Sequence, residues 1–77
     1  MNKYKITVGG AGLNEYIQGR ISGIVHVLSG MPAKGYGWMR HDDDGRETLT
    51  FECTEEQYQT IVTSVKNLYG HLIDLEF

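Results

Sequence analysis

Residues 47–77 constrain the fold more than any other part of the chain, because their pattern is that of a strand, a capped helix and a second strand in direct succession. Leu49, Phe51 and Cys53 alternate with polar residues, which is the period of a half-buried strand. Thr54 follows at once, with Gln57 three residues later. This spacing is a capping box, which satisfies two backbone donors that a helix start otherwise leaves unpaired.

The segment after the cap predicts a helix that ends at Gly70 and a strand over His71–Phe77. In the strand, Ile73, Leu75 and Phe77 are expected to point inward. The buried stripe of the helix is predicted to consist of Tyr58, Ile61, Val62, Val65, Leu68 and Tyr69.

The N-terminal part predicts another strand and helix. Residues 3–8 alternate, and Gly9-Gly10-Ala11-Gly12 breaks the pattern. From Leu13 an apolar stripe at positions 13, 17, 21, 24, 25 and 28 predicts a helix ended by Gly30 and Pro32. Because Gly19, Ser22 and Gly23 weaken a helix, a strand over 24–28 stays open as the alternative.

Residues 35–40 and 46–53 predict two strands joined by a turn at His41–Gly45. Asp44-Gly45 favours a tight hairpin, since glycine accepts the positive φ that such turns require. A two- or four-residue loop places Trp38 opposite Phe51 or Leu49 on the inward face. A three-residue loop places it opposite Thr50, on the open face.

The order strand, helix, strand, strand, helix, strand predicts one α+β domain over residues 1–77. We expect the ferredoxin-like sandwich, a four-stranded antiparallel sheet with both helices on one face. The edge strands are predicted to be those around Trp38 and Leu75. The open face is expected to carry Lys3, Lys5, Thr7, Thr48, Thr50, Glu52, Asp74 and Glu76.

The net charge of −3 is distributed unevenly. Residues 42–56 hold seven acids and one base, Arg46, which leaves a net +3 for the rest of the chain. Such a region disfavours phosphate backbones and favours basic protein surfaces. The alternative is a solvated turn followed by acids at a helix N-terminus, where the helix dipole stabilises them.

Cysteine content and hydropathy predict a cytoplasmic protein without a membrane anchor. Cys53 is the only cysteine, which rules out an internal disulfide and fits a reducing compartment. The apolar runs are all shorter than a membrane span.

The sequence contains only incomplete forms of the known motifs for binding calcium, nucleotides and other anions. Asp42-Asp43-Asp44-Gly45 lacks both the first and the last ligand of a calcium loop, which would fall on Arg40 and Phe51. The Gly9–Gly12 loop between a strand and a helix is a weak anion-site candidate through Gly9, Gly10 and Gly12. It lacks the dinucleotide and Walker patterns.

The pattern also argues against catalysis and against direct nucleic-acid binding. RNA-recognition modules of this fold stack bases on aromatic residues of the central strands, where this chain has lysine, threonine and glutamate. Cys53 falls on the inward face, and the histidines lie in different predicted elements, with His26 expected opposite the apolar stripe of its helix. We therefore expect no enzyme activity, cofactor or metal site.

Two features suggest binding of a protein. Gly19 and Gly23 share the predicted outer helix face with Ser22 and His26, so that another backbone can approach closely. Trp38 and Arg40, beside the acidic turn, are residue types enriched at interface centres.

The leading hypothesis is a small protein-binding module that occupies a surface on its partner, with Asp42, Asp43, Asp44, Glu55 and Glu56 as its acidic residues. By type it compares with phage-encoded inhibitors of nucleic-acid-handling complexes, anti-CRISPR proteins among them. The alternatives are a nucleotide or other small anion at Gly9–Gly12, and a homodimer joined through the edge strand that ends at Phe77.

Overall fold

Six elements follow one another in the predicted order. The structure, a computed structural model, describes residues 2–30 and 34–77, so Pro32 lies outside the described residues. The elements are β1 (Asn2–Gly9), α1 (Glu15–Ser29), β2 (Gly37–Arg40), β3 (Glu47–Cys53), α2 (Glu55–Tyr69) and β4 (Asp74–Glu76).

The four strands form one antiparallel sheet in the order β2-β3-β1-β4, which confirms the ferredoxin-like α+β fold. β2 and β4 are the edge strands, as predicted. The helices cover one face of the sheet and run antiparallel to each other, since the Arg20 side chain in the first half of α1 bonds to Tyr69 at the end of α2. Each helix has 15 residues, and within the described parts of the chain neither is long and apolar enough to cross a membrane.

The core lies between the sheet and the helices. α1 is one continuous helix, which settles the alternative of a strand over 24–28. The two central strands and both helices supply most of the core: Ile6, Val8, Ile17, Ile21, Val25, Leu49, Phe51, Cys53, Ile61, Val65, Tyr69 and Ile73 are all buried.

The register of the β2–β3 hairpin is that of a four-residue loop. The His41 amide donates to the Arg46 carbonyl at 2.8 Å, and Gly45 has the positive φ of 72° expected of the turn. Trp38 is consequently paired with Leu49 and turned toward the helices.

The C-terminal strand is shorter than predicted. After α2 the amides of Leu72 and Ile73 both donate to the Tyr69 carbonyl, so the chain makes a turn before β4 begins. Ile73 is buried, but Phe77 is 38% exposed. Phe77 is therefore not part of the core, because the sheet has already ended and the ring lies 5.8 Å from the Lys66 ammonium of α2.

The start of α2 is held by the predicted capping box. Thr54 Oγ1 accepts from the Gln57 amide at 3.1 Å, and Gln57 Oε1 accepts from the Thr54 amide at 2.9 Å. We expect Thr54→Ala to lower the free energy of unfolding by about 1 kcal/mol, because the Gln57 amide loses its acceptor.

Urea denaturation followed by circular dichroism measures this loss. Thr63→Ala is the control, because Thr63 is exposed in the middle of α2 and removing it takes away no cap. An equal loss in both variants would show that the cap does not stabilise the helix start.

Candidate functional site

A groove runs along the outer surface between α1 and α2. Gly19 and Leu68 both line it, and Leu28 is shared with a second recess that Thr60 lines, in agreement with antiparallel helices. Its volume is about 450 Å³, and its lining is mostly apolar. Val27 is 74% exposed and Leu68 51% exposed, so two large apolar side chains border open space here. The prediction that Leu68 belongs to the buried stripe of α2 is therefore wrong, because the side chain lies on the rim of the groove.

Gly19 and Gly23 open this groove, and the packing of the chain does not require either of them to be glycine. A Cβ placed on either residue would meet no atom within 4 Å, and neither has a positive φ. An exposed helical glycine costs about 1 kcal/mol relative to alanine. The prediction that these two residues lie on an exposed helix face is confirmed, and the groove shows which face it is.

The two ends of the groove carry opposite charge. At one end Arg20 Nε donates to the Tyr69 hydroxyl at 3.3 Å, and this hydrogen bond, together with the nearby Tyr16, raises the pKa of Arg20. At the other end Leu28 is shared with a recess of about 290 Å³ that is bordered by Glu56 and polar residues of the α2 start. Sequence patterns did not reveal this polarity, because it depends on how the helices are paired.

Trp38 is an internal anchor rather than an exposed contact residue. Its indole N–H lies 2.9 Å from Ser22 Oγ and 3.0 Å from the Tyr36 hydroxyl, and that hydroxyl donates to the same Ser22 oxygen at 2.6 Å. The ring of His26 packs on Tyr36 with centroids 4.2 Å apart. The prediction that Ser22 and His26 share the open face with the glycines is wrong, because aromatic residues from β2 and the segment before it cover that flank of α1.

The acidic residues form two patches instead of one. Asp42, Asp43 and Asp44 lie in the hairpin turn before β3, whereas Glu55 and Glu56 follow its other end. A strand of seven residues separates the two patches by about 20 Å. Closeness in sequence therefore does not make these five acids a single surface.

Within the turn, Asp44 is neutralised by its own chain. Its carboxylate accepts a hydrogen bond from the Arg46 amide at 3.0 Å and pairs with Arg46 Nε at 2.9 Å. The hydrogen bond from the amide is the main reason that the pKa of Asp44 is lowered. Asp42 and Asp43 are exposed and form no ion pair within residues 2–30 and 34–77. These two carboxylates are the charges that the turn offers to a partner.

The glycines of the Gly9–Gly12 loop have structural explanations. Gly10 has a φ of 94°. A Cβ on Gly12 would overlap the carbonyl oxygen of Leu72, and a Cβ on Gly9 would lie 2.8 Å from Cγ of Arg46. Each glycine is thus required by a turn or by a close approach, with no need for a ligand.

The surroundings of that loop are unfavourable for an anion. Asn14 caps the start of α1 by accepting from the Ile17 amide at 2.9 Å, which takes one of the donors that an anion would use. The side chain of Asp74 lies against Gly10, and the neighbouring polar recess is bordered by Glu15 and Glu47 as well as by Arg40. The loop is therefore bordered by three carboxylates, Glu15, Glu47 and Asp74, as well as by Arg40 and Arg46.

The open face of the sheet contains a row of hydrogen bonds that sequence reasoning missed. His41 Nε2 lies 2.7 Å from Thr48 Oγ1, which lies 2.9 Å from Thr7 Oγ1. Alternation placed both threonines on this face, but only the hairpin register brings His41 to them. A catalytic nucleophile and base need a third group that hydrogen-bonds to the base and orients it. Here the third residue, Thr7, hydrogen-bonds to Thr48 and not to the base, His41. The row joins the turn, β3 and β1.

The other candidate reactive groups are separated from one another. Cys53 is buried, as predicted, and burial raises the pKa of its thiol. His71 is exposed in the turn after α2. In the part of the chain that the structure describes, no three histidine, cysteine, aspartate or glutamate side chains are placed to hold a metal ion.

Comparison with known proteins assigns no role to any of these surfaces. No known protein family, no curated protein and no solved structure matches the chain. The groove between α1 and α2 is the strongest candidate, because it combines a concave volume of about 450 Å³ with two exposed apolar side chains, Val27 and Leu68.

Proposed function

We propose that this protein is a small non-enzymatic module that binds another protein through the groove between α1 and α2. The observation that carries the proposal is the exposure of Val27 and Leu68 beside two helical glycines that the internal packing does not require. Apolar side chains around a recess are typical of surfaces that become covered in a complex.

The energetic scale fits a moderate interaction. Full burial of one valine or leucine side chain contributes about 1.5–3 kcal/mol relative to exposure. The absence of side chains at Gly19 and Gly23 lets a partner backbone approach α1 closely, so that it can reach both Val27 and Leu68. Part of this gain offsets the loss of translational and rotational freedom on association.

A more specific form of the proposal is an acidic inhibitor of a nucleic-acid-handling complex, of the phage anti-defence or anti-CRISPR type. It is supported by Asp42 and Asp43, which are exposed at the tip of the hairpin and form no ion pair with the residues that the structure describes. In this form the turn would contact a basic site on the partner, while Glu55 and Glu56 would lie on a different part of the surface.

Affinity capture from cells with the tagged protein and three matched variants tests the proposal. Val27→Glu and Leu68→Glu place a charge in the groove, whereas Met39→Glu places the same charge on the open face, where Met39 is 65% exposed. We expect the captured partner to be lost with the two groove variants and kept with Met39→Glu. The reverse pattern would contradict the groove as the binding surface.

The acidic form has its own test in the same experiment. The double variant Asp42→Asn, Asp43→Asn removes these two charges of the turn and leaves the Asp44–Arg46 pair intact. If the partner is bound through a basic site, its capture falls and the remaining binding loses its salt dependence. Unchanged capture would rule out the acidic form and leave the groove proposal standing.

A further inference from the structure

We infer that the partner in the groove is a second copy of this chain, docked with α1 and α2 of one copy against α1 and α2 of the other. This inference rests on the proposed protein-binding role of the groove and names its occupant. Shape and charge each support a two-fold axis that passes between the Gly23 residues of the two copies.

The shape of α1 is complementary to itself. Val27 lies four residues after Gly23, and Gly19 lies four residues before it, so a protruding side chain and an open position are equally spaced about the same point. When two α1 helices run antiparallel with their Gly23 residues in contact, each Val27 enters the space over the other copy's Gly19. There it also meets Leu68, which borders the same groove.

The charges of the groove are complementary in the same arrangement. Arg20 marks one end of the groove, and Glu56 borders the recess at the other end, next to Leu28. Because the helices of the two copies run in opposite directions, the Arg20 end of one copy lies against the Glu56 end of the other. The two-fold symmetry produces this contact twice. A parallel docking of the helices would instead place like ends together.

The alternative dimer through β4 is disfavoured by its charges. β4 has three residues, with Leu75 between Asp74 and Glu76. In an antiparallel pair of β4 strands centred on Leu75, each Asp74 would stand opposite a Glu76 of the other copy. Like charges directly opposite on paired strands are destabilising, and this short edge offers few backbone hydrogen bonds in return.

Sedimentation equilibrium of the purified chain from micromolar to millimolar concentration is the first test. We expect the mean mass to rise with concentration from 8.7 kDa toward twice that value. Gly19→Leu fills the space that receives Val27 and should weaken association about tenfold or more. Leucine favours helix more than glycine does, so at a dilution where both proteins are monomeric the variant should unfold at no lower a temperature than the wild type.

A charge-swap cycle then tests the direction of docking. Arg20→Glu and Glu56→Arg should each weaken association, and the double variant should recover most of the loss, because the pair is restored with its signs exchanged. Thermal unfolding of each variant confirms that it is folded. In NMR spectra recorded on dilution, the largest changes in amide chemical shift should occur at Gly19, Gly23, Val27 and Leu68. The amide chemical shifts of β4 should stay unchanged.

Three results of the sedimentation and charge-swap experiments would overturn the inference. They are a mass of 8.7 kDa at all concentrations, a dimer that Gly19→Leu does not weaken, and single charge variants whose losses simply add in the double variant. A monomer that still captures another protein through Val27 and Leu68 would overturn the homodimer while supporting the proposed function. Self-association that depends on β4 instead would contradict the groove homodimer, and the capture experiment with Val27→Glu and Leu68→Glu would then decide the proposed function separately.

Discussion

Phe51→Ala is expected to lower the free energy of unfolding by about 3–5 kcal/mol, the usual loss for a fully buried phenylalanine. Phe51 has no exposed surface, lies on the central strand β3 and packs against Tyr58 with ring centroids 6.3 Å apart. Small domains have only about 5–15 kcal/mol of total stability, so the variant should be partly unfolded at room temperature. Urea denaturation followed by circular dichroism gives the measurement.

Phe77→Ala is the matched control for that experiment. It removes the same atoms from a ring that is 38% exposed beyond the end of β4. We expect a loss well below that of Phe51→Ala, since much of the ring is already in water and little cavity is created. Equal losses would mean that the core is not centred on β3 as described.

Gly12→Ala should have the second largest effect, a loss of about 1–3 kcal/mol or more from overpacking. Gly12 has no positive φ, so the conflict comes from the added Cβ and the carbonyl oxygen of Leu72. That oxygen belongs to backbone and cannot rotate away as a flexible side chain could. The loop after β1 and the turn before β4 must therefore separate, which disturbs the end of the sheet where Gly9 pairs with Asp74.

Gly19→Ala provides a control of opposite sign. The same methyl group meets no atom within 4 Å there and replaces glycine inside a helix, so stability should rise by up to about 1 kcal/mol. Thermal unfolding midpoints of the two variants should move in opposite directions from the wild type. A loss in both would show that Gly19 has a packing role within its own chain.

Local chemistry explains why so much of the fold could be predicted from the sequence. The Thr54–Gln57 cap and the Asp44-Gly45 turn are decided by residues within a few positions of each other, and the structure contains both. The alternation of Leu49, Phe51 and Cys53 identified a strand with one buried face, and all three residues are buried. With these elements in order, only a few arrangements can bury every apolar face.

The site could be predicted less well, because it depends on contacts between residues far apart in the chain. Helical spacing indicated an exposed stripe at Gly19 and Gly23, but the opposing wall at Leu68 comes from the other helix. His26 was misplaced because the ring of Tyr36, from a separate segment, covers it. Likewise, the acids of residues 42–56 are close in sequence, but β3 separates them into two patches in the structure.

Amide hydrogen exchange of the protein alone and in its complex tests the central claim most directly. We expect binding, whether to a second copy or to a captured protein, to slow exchange in residues 19–28 of α1 and 64–68 of α2. Exchange in the β2–β3 hairpin and in β4 should stay the same. Protection confined to residues 37–46 or 74–76, with the helices unchanged, would contradict the claim that the groove between α1 and α2 is the binding surface.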